Sequence, residues 1–176
     1  MRLALVLGVW LVACVGSLYW FLGGQLSWFD PAGALEHQAS QPNFEQQLEQ
    51  ALRKRVPLVS GSGTVVHIKS ADCHCNWRAQ SHITDLTGQA EQQGLQVSYL
   101  SLEASDELQR WLPATPAVIL LNAQGELAYI GPYSAGAFCS SASSFVETLL
   151  PALAEASAPG GWVNTQSRGC YCPTSA

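Results

Sequence analysis

The chain has 176 residues, of which 12% are charged, and a net charge of −5. That length holds one ordinary domain with an appendage and excludes two full cores. Beyond residue 22 there are seven basic and thirteen acidic side chains, which argues against a nucleic-acid-binding surface, and no basic cluster marks a lipid-binding face.

The scarcity of charge is concentrated at the start. Leu3 to Leu22 is a run of twenty uncharged residues, seventeen of them apolar, preceded by the single charge of Arg2. As a helix it would be about 30 Å long, the thickness of a bilayer's hydrocarbon core. Its end, Tyr19-Trp20-Phe21-Leu22, suits a membrane interface better than a peptidase site. Two acids and no base follow it, so the N-terminus is expected in the cytoplasm and the body on the far side. Leu11-Val12-Ala13-Cys14 also resembles a bacterial lipobox, in which Cys14 would be lipidated. The apolar run past Cys14 favours a small side chain facing lipid.

Residues 1–23 are thus read as a membrane anchor and 24–41 as a linker. From Pro42 the spacing of Phe44, Leu48, Ala51 and Leu52 predicts a helix, with Arg53, Lys54 and Arg55 in its last turn and Pro57 ending it. TVVHI, residues 64–68, reads as a buried strand. Residues 76–93 predict a helix carrying Trp77, Ile83, Leu86 and Ala90, closed by Gly94. LQVSYLSL, 95–102, alternates as a strand, and a short helix follows over 104–111. AVILL, 117–121, and residues 127–130 predict two strands of a hairpin around Asn122 to Gly125. A last helix is expected over 140–156, with Phe145, Val146, Leu149, Leu150 and Leu153 as its core face. Strand–helix–strand repeats with one hairpin imply an α/β fold, a mixed sheet of about four strands with helices on both faces. The domain is placed at 42–156 and a cysteine-containing tail at 157–176.

Five of the six cysteines lie beyond the apolar run, an odd number that flags a free or transiently paired thiol. Cys73 and Cys75 stand in DCHCN at the expected start of a helix, Cys139 precedes the last helix, and Cys170 and Cys172 stand in RGCYCPT.

A buried strand running into a cysteine motif that opens a helix, then Thr115-Pro116 before AVILL, then the hairpin NAQGELAYIG, resembles the thioredoxin-like superfamily over about residues 60–155. The sequence is most similar there to bacterial, membrane-anchored, thioredoxin-like proteins with a D-C-x-C-N motif and a C-x-C tail. The resemblance implies a cis bond before Pro116, a Thr115 backbone offered to a bound peptide, and a domain in the periplasm beside the inner membrane. It departs from the family's C-x-x-C by one residue. Either Cys73 takes the first place, as attacking thiol with Cys75 resolving, or Cys75 takes the second and Asp72 stands where the nucleophile normally is.

The resulting expectation is a thiol–disulfide oxidoreductase acting on protein thiols or disulfides, tethered through residues 3–22, with no organic cofactor. A flexible tail would bring Cys170 and Cys172, or Cys139, to exchange with the core pair. The competing reading is copper or zinc binding by Cys73, Cys75, Cys170 and Cys172, with His74, Cys139, His67 or His82 as further ligands. Thiolates suit Cu⁺, and ligands one residue apart are less usual at zinc. The third reading is a non-catalytic domain with structural disulfides. Gly61 to Thr64 lacks the lysine and helix of a phosphate loop, and the serines at 140, 141, 143 and 144 read as helix caps.

Overall fold

A computed structural model describes residues 2–24, 26–59, 61–103, 106–154 and 160–174. Parts of several expected segments lie outside the described residues: 104–105 of the short helix, 155–156 of the last helix, and 157–159 and 175–176 of the tail.

Helix α1, Arg2–Gly24, is long and apolar enough to cross a membrane, and its described side chains are exposed to their surroundings. A large soluble domain follows. The segment read as a linker begins with strand β1, Ser27–Trp28, and carries helix α2, Ala34–Ala39. The turn between them is built by Asp30, whose carboxylate accepts from the backbone N–H of Ala34 (2.8 Å) and Glu36 (3.0 Å). Phe29 and Leu35 from this segment are fully buried. Helix α3, Phe44–Arg53, buries the predicted stripe of Phe44, Leu48, Ala51 and Leu52.

Strand β2, Thr64–Ser70, buries its first five residues because both faces are covered. Helix α4, Asn76–Gln92, presents Ala79, Ile83, Leu86 and Ala90 to the sheet at helical spacing. Gly94, at φ +73°, lets Leu95 N–H reach back to the Ala90 carbonyl and closes the helix. Strand β3, Gln96–Leu102, then pairs parallel with β2. After a 3₁₀ turn, Glu107–Trp111, come the short β4, Ala114–Thr115, then β5, Ala117–Leu121, and β6, Leu127–Gly131.

The chain folds as an α/β domain. Among the described residues its main sheet has five strands, in the order β3-β2-β5-β6-β7, where β7 is Trp162–Val163, parallel to β6. The expected four-strand sheet is corrected by β7, which is two residues long and too short to show a period. One core lies on the α2–α3 side, with Val66, Ile68, Ala117 and Ile119. The other lies under α4, with Val65, Val118, Leu120 and Tyr129.

The last expected helix is interrupted. Over its described part it is two 3₁₀ turns, Ser141–Ser143 and Glu147–Leu149, followed by helix α5, Leu150–Ala154. The serine hydroxyls explain this: Ser140 accepts from Ala142 N–H (3.2 Å) and Ser144 from Val146 N–H (3.1 Å), offering the backbone a local alternative to the helix. Phe145 N–H goes instead to the Tyr133 carbonyl. Val146, Leu150 and Leu153 remain buried as expected, while Phe145 and Leu149 are only partly so.

The described part of the tail is paired to the body. Strand β8, Arg168–Gly169, runs antiparallel to β1, and strand β9, Cys172–Pro173, runs antiparallel to β4.

Candidate metal centre

Strand β2 ends at Ser70, and a turn delivers Cys73 and then Cys75, the residue before α4. The turn is held by Cys73 N–H to the Ser70 carbonyl (3.2 Å) and by the Asn76 amide to the same carbonyl (2.7 Å). The tail arrives from the other side. Between its two cysteines, Tyr171 points into the body, where its hydroxyl donates to the Ser134 carbonyl (2.7 Å), lies 2.8 Å from the Ser167 hydroxyl, and its ring meets Phe29 edge-on. That ring lies so close to Gly169 that a Cβ there would come within 2.6 Å of it.

An extended segment puts residues two apart on one side, so Cys170 and Cys172 both face the Cys73–Cys75 turn. The chains meet in opposite directions, and the bridges are Cys73–Cys172 and Cys75–Cys170, each with Cα atoms 5.6 Å apart. Cys73, Cys75 and Cys170 are buried and Cys172 is half-buried. The ligand atoms of Cys73, Cys75 and Cys172 lie within 4.8 Å of one another, as do those of His74, Cys75 and Cys170. His74 is exposed, with Nδ1 3.8 Å from the Cys172 sulfur.

Thr115 and Pro116 border this cluster. The Cys73 sulfur lies 3.3 Å from the Thr115 carbonyl oxygen, and the Thr115–Pro116 peptide is cis. The Thr115 backbone, expected to be offered to a bound peptide, is paired with Cys172 of the chain's own tail.

The remaining candidates lie elsewhere. Cys139 is an unbridged, buried thiol in the core under α4. Its carbonyl oxygen is 3.1 Å from Nδ1 of His82, and Nε2 of His82 is 2.7 Å from the Glu147 carboxylate, off the line of a good hydrogen bond. Burial works against charge on His82, but Cys139 and Glu147 outweigh it and raise the pKa to about 9. His67 is held between the Tyr133 hydroxyl (2.8 Å) and the Thr87 hydroxyl (3.1 Å); burial, then Lys69 and His82, lower its pKa to about 4. Neither ring joins the sulfur cluster.

The oxidoreductase reading is therefore corrected. Cys73 and Cys75 are not each other's partners, so there is no adjacent attacking and resolving pair. Each is joined to a residue 99 or 95 positions away. The swinging relay is corrected too, because the tail is already bonded to the core pair, and Cys139 stands apart. Sequence reasoning passed over Tyr171, Asn76 and Ser70, which position the cysteines. The alternation in Cys170-Tyr171-Cys172 was the available signal for Tyr171.

A family model described as "Domain of unknown function (DUF6436)" matches residues 41–174. That family replaces the thioredoxin-like superfamily suggested by the sequence. A search of the curated proteins gives no match. Among solved structures, a hypothetical protein from Sinorhizobium meliloti 1021 is 12% identical with a TM-score of 0.49, over 73% of this chain and 82% of that one. An uncharacterized conserved protein from Geobacillus kaustophilus is 15% identical with a TM-score of 0.39, over 66% of this chain and 78% of that one.

Proposed function

We propose that this chain, which belongs to the family described as Domain of unknown function (DUF6436), binds a soft metal ion, Cu⁺ in particular. The thiolates of Cys73, Cys75, Cys170 and Cys172 are the ligands. The observation that carries this reading is the gathering of these four sulfurs, with His74, from two segments nearly a hundred residues apart.

The donor set suits the ion. Thiolates are soft ligands that favour Cu⁺, and metal–sulfur bonds of about 2.3 Å put neighbouring ligand sulfurs roughly 3.8 Å apart. Within each bridge the sulfurs, bonded at about 2 Å, must part by about 1.8 Å on reduction, and those of Cys73, Cys75 and Cys172 that lie up to 4.8 Å apart close in by no more than about 1 Å. Reduction must come first. A dithiol reductant supplies two electrons and two protons to each bridge, leaving four thiols and an oxidised reductant; the thiols lose protons as the metal binds. A groove of about 460 Å³, lined in part by Ser70, Asp72, Cys73, Cys172 and Thr174, gives the ion an approach. The domain is placed in the periplasm, where the bridged form is at home, with α1 in the inner membrane and Arg2 on the cytoplasmic side.

Titration of the reduced full-length chain, in detergent and without oxygen, against a chromogenic Cu⁺ chelator tests the reading. One Cu⁺ per chain is expected, with affinity at least tenfold weaker in Cys73→Ser/Cys172→Ser and unchanged in Cys139→Ser. Uptake no greater than that of a variant with all four cysteines replaced by serine overturns it and leaves the bridges a structural role alone.

A further inference from the structure

We propose that the outward face of the β1–β8 ribbon lies on the headgroup layer of the bilayer that α1 spans, with Trp28 and Arg168 as its anchors. The ribbon has two distinct faces. Ser27 is registered with Gly169 and Trp28 with Arg168, and directly opposed residues point to the same side. The Ser27–Gly169 side faces the body: the Ser27 hydroxyl donates to the Tyr171 carbonyl (2.9 Å), and Gly169 lies against the Tyr171 ring. Trp28 and Arg168 are therefore on the outer side, and both are exposed.

The chain's own length says what covers that side. Only Gln25 and Leu26 lie between Gly24, the end of α1, and Ser27, so the Cα atoms of Gly24 and Ser27 are at most about 11 Å apart. The start of the ribbon, Ser27, therefore stays within that distance of the membrane helix's end. Cys170, next after Gly169, has its Cα within about 20 Å of Gly24.

The chemistry fits a headgroup layer. An indole sits well at the interface, with apolar body and polar N–H, and an arginine beside it reaches phosphate. Gly136 flanks β8 on its other edge, and two residues on, Phe138 exposes 70% of its surface. The acid nearest to Trp28 in sequence, Asp30, has both carboxylate oxygens bound to backbone N–H groups of α2. Because the body beyond residue 22 is acidic overall, the contact rests on aromatic burial rather than on attraction to anionic lipid, and it persists in zwitterionic vesicles at high salt. It does not depend on a metal being bound, so its test is independent of the Cu⁺ titration.

The full-length chain, reconstituted in phosphatidylcholine vesicles, carries the photoreactive p-benzoylphenylalanine at position 28 or, as control, 124. Gln124 is exposed on the β5–β6 turn, at the other end of β2 from the cysteines. Mass spectrometry of irradiated samples is expected to show lipid adducts at 28 at least fivefold above those at 124, unchanged in 0.5 M salt. Adducts at 28 no more frequent than at 124, or absent from both, overturn the proposal. A second measurement keeps Trp28 itself. In a chain with Trp10→Phe and Trp20→Phe, which removes the indoles of α1, phosphatidylcholine brominated high on its acyl chains is expected to quench fluorescence more than in the same chain carrying Trp28→Phe as well, and equal quenching overturns the proposal.

Discussion

Two buried imidazoles, one held neutral and the other charged, give the domain opposite responses to pH. His67 sits between hydroxyls, stacked on Tyr99 and Tyr133, with its pKa lowered to about 4 by burial and then by Lys69 and His82. His82 is also buried, but Cys139 and Glu147 raise its pKa to about 9. Both rings titrate near 6.5 in the unfolded chain. For His67 the unfolded state takes up protons first, so its stabilisation is complete above pH 6.5 and is lost as pH falls towards 4. For His82 the folded state holds the proton longer, so its contribution is complete below pH 6.5 and is lost as pH rises through about 9. Urea midpoints across that range are expected to peak near neutrality. His67→Gln should flatten the acid limb, which carries at most roughly 3 kcal/mol, and His82→Gln should flatten the alkaline limb. An acid limb equally steep in native and His67→Gln protein would contradict the assignment.

The tail is held as an element by one side chain as much as by its bridges. Two-residue strands such as β8 and β9 have little stability of their own, and Tyr171 between them supplies the buried anchor. Tyr171→Phe keeps the ring against Phe29 but removes the hydrogen bonds to Ser134 and Ser167. Leaving those buried groups unpartnered is expected to cost about 1–3 kcal/mol in denaturant unfolding, with faster amide exchange over 167–173 while both bridges stay intact. The same contrast explains what could be read beforehand. Helices α1, α3 and α4, strands β2 and β3 and the β5–β6 hairpin carry an unbroken apolar run, a period over five residues or more, or a turn signature, so local sequence displays them. Strands β1, β7, β8 and β9 have two residues each and exist through partners elsewhere in the chain; Trp28 pairs with Arg168. No local pattern encodes such a pairing. All four cysteines of the cluster could be picked out by type and spacing, but not their crossed connection, which is a property of the folded chain.

At the scale of the molecule, the two bridges are nearly one cross-link. Each closes a loop of almost a hundred residues, and they share its ends, since Cys73 and Cys75 are two apart and so are Cys170 and Cys172. In the chain-entropy account a single loop of that size contributes about 4–5 kcal/mol, by restricting the unfolded state. Once one bridge closes it, the second confines only the few residues between them. Their effects are therefore far from additive. Cys75→Ser/Cys170→Ser is expected to cost much less than half of what is lost when all four cysteines are replaced, and that total should approach about 4–5 kcal/mol. The comparison is made by denaturant unfolding of the oxidised proteins in detergent, scored by fluorescence of the soluble domain. Halved stability for each bridge would show that the bridges act independently and that their shared loop is not what they restrict. The reduced native chain lies at the low end of this scale, and there a metal that binds only the folded cluster acts in place of the bridges. Each tenfold excess of free Cu⁺ over its dissociation constant should add about 1.4 kcal/mol. The gain should vanish in the protein with all four cysteines replaced.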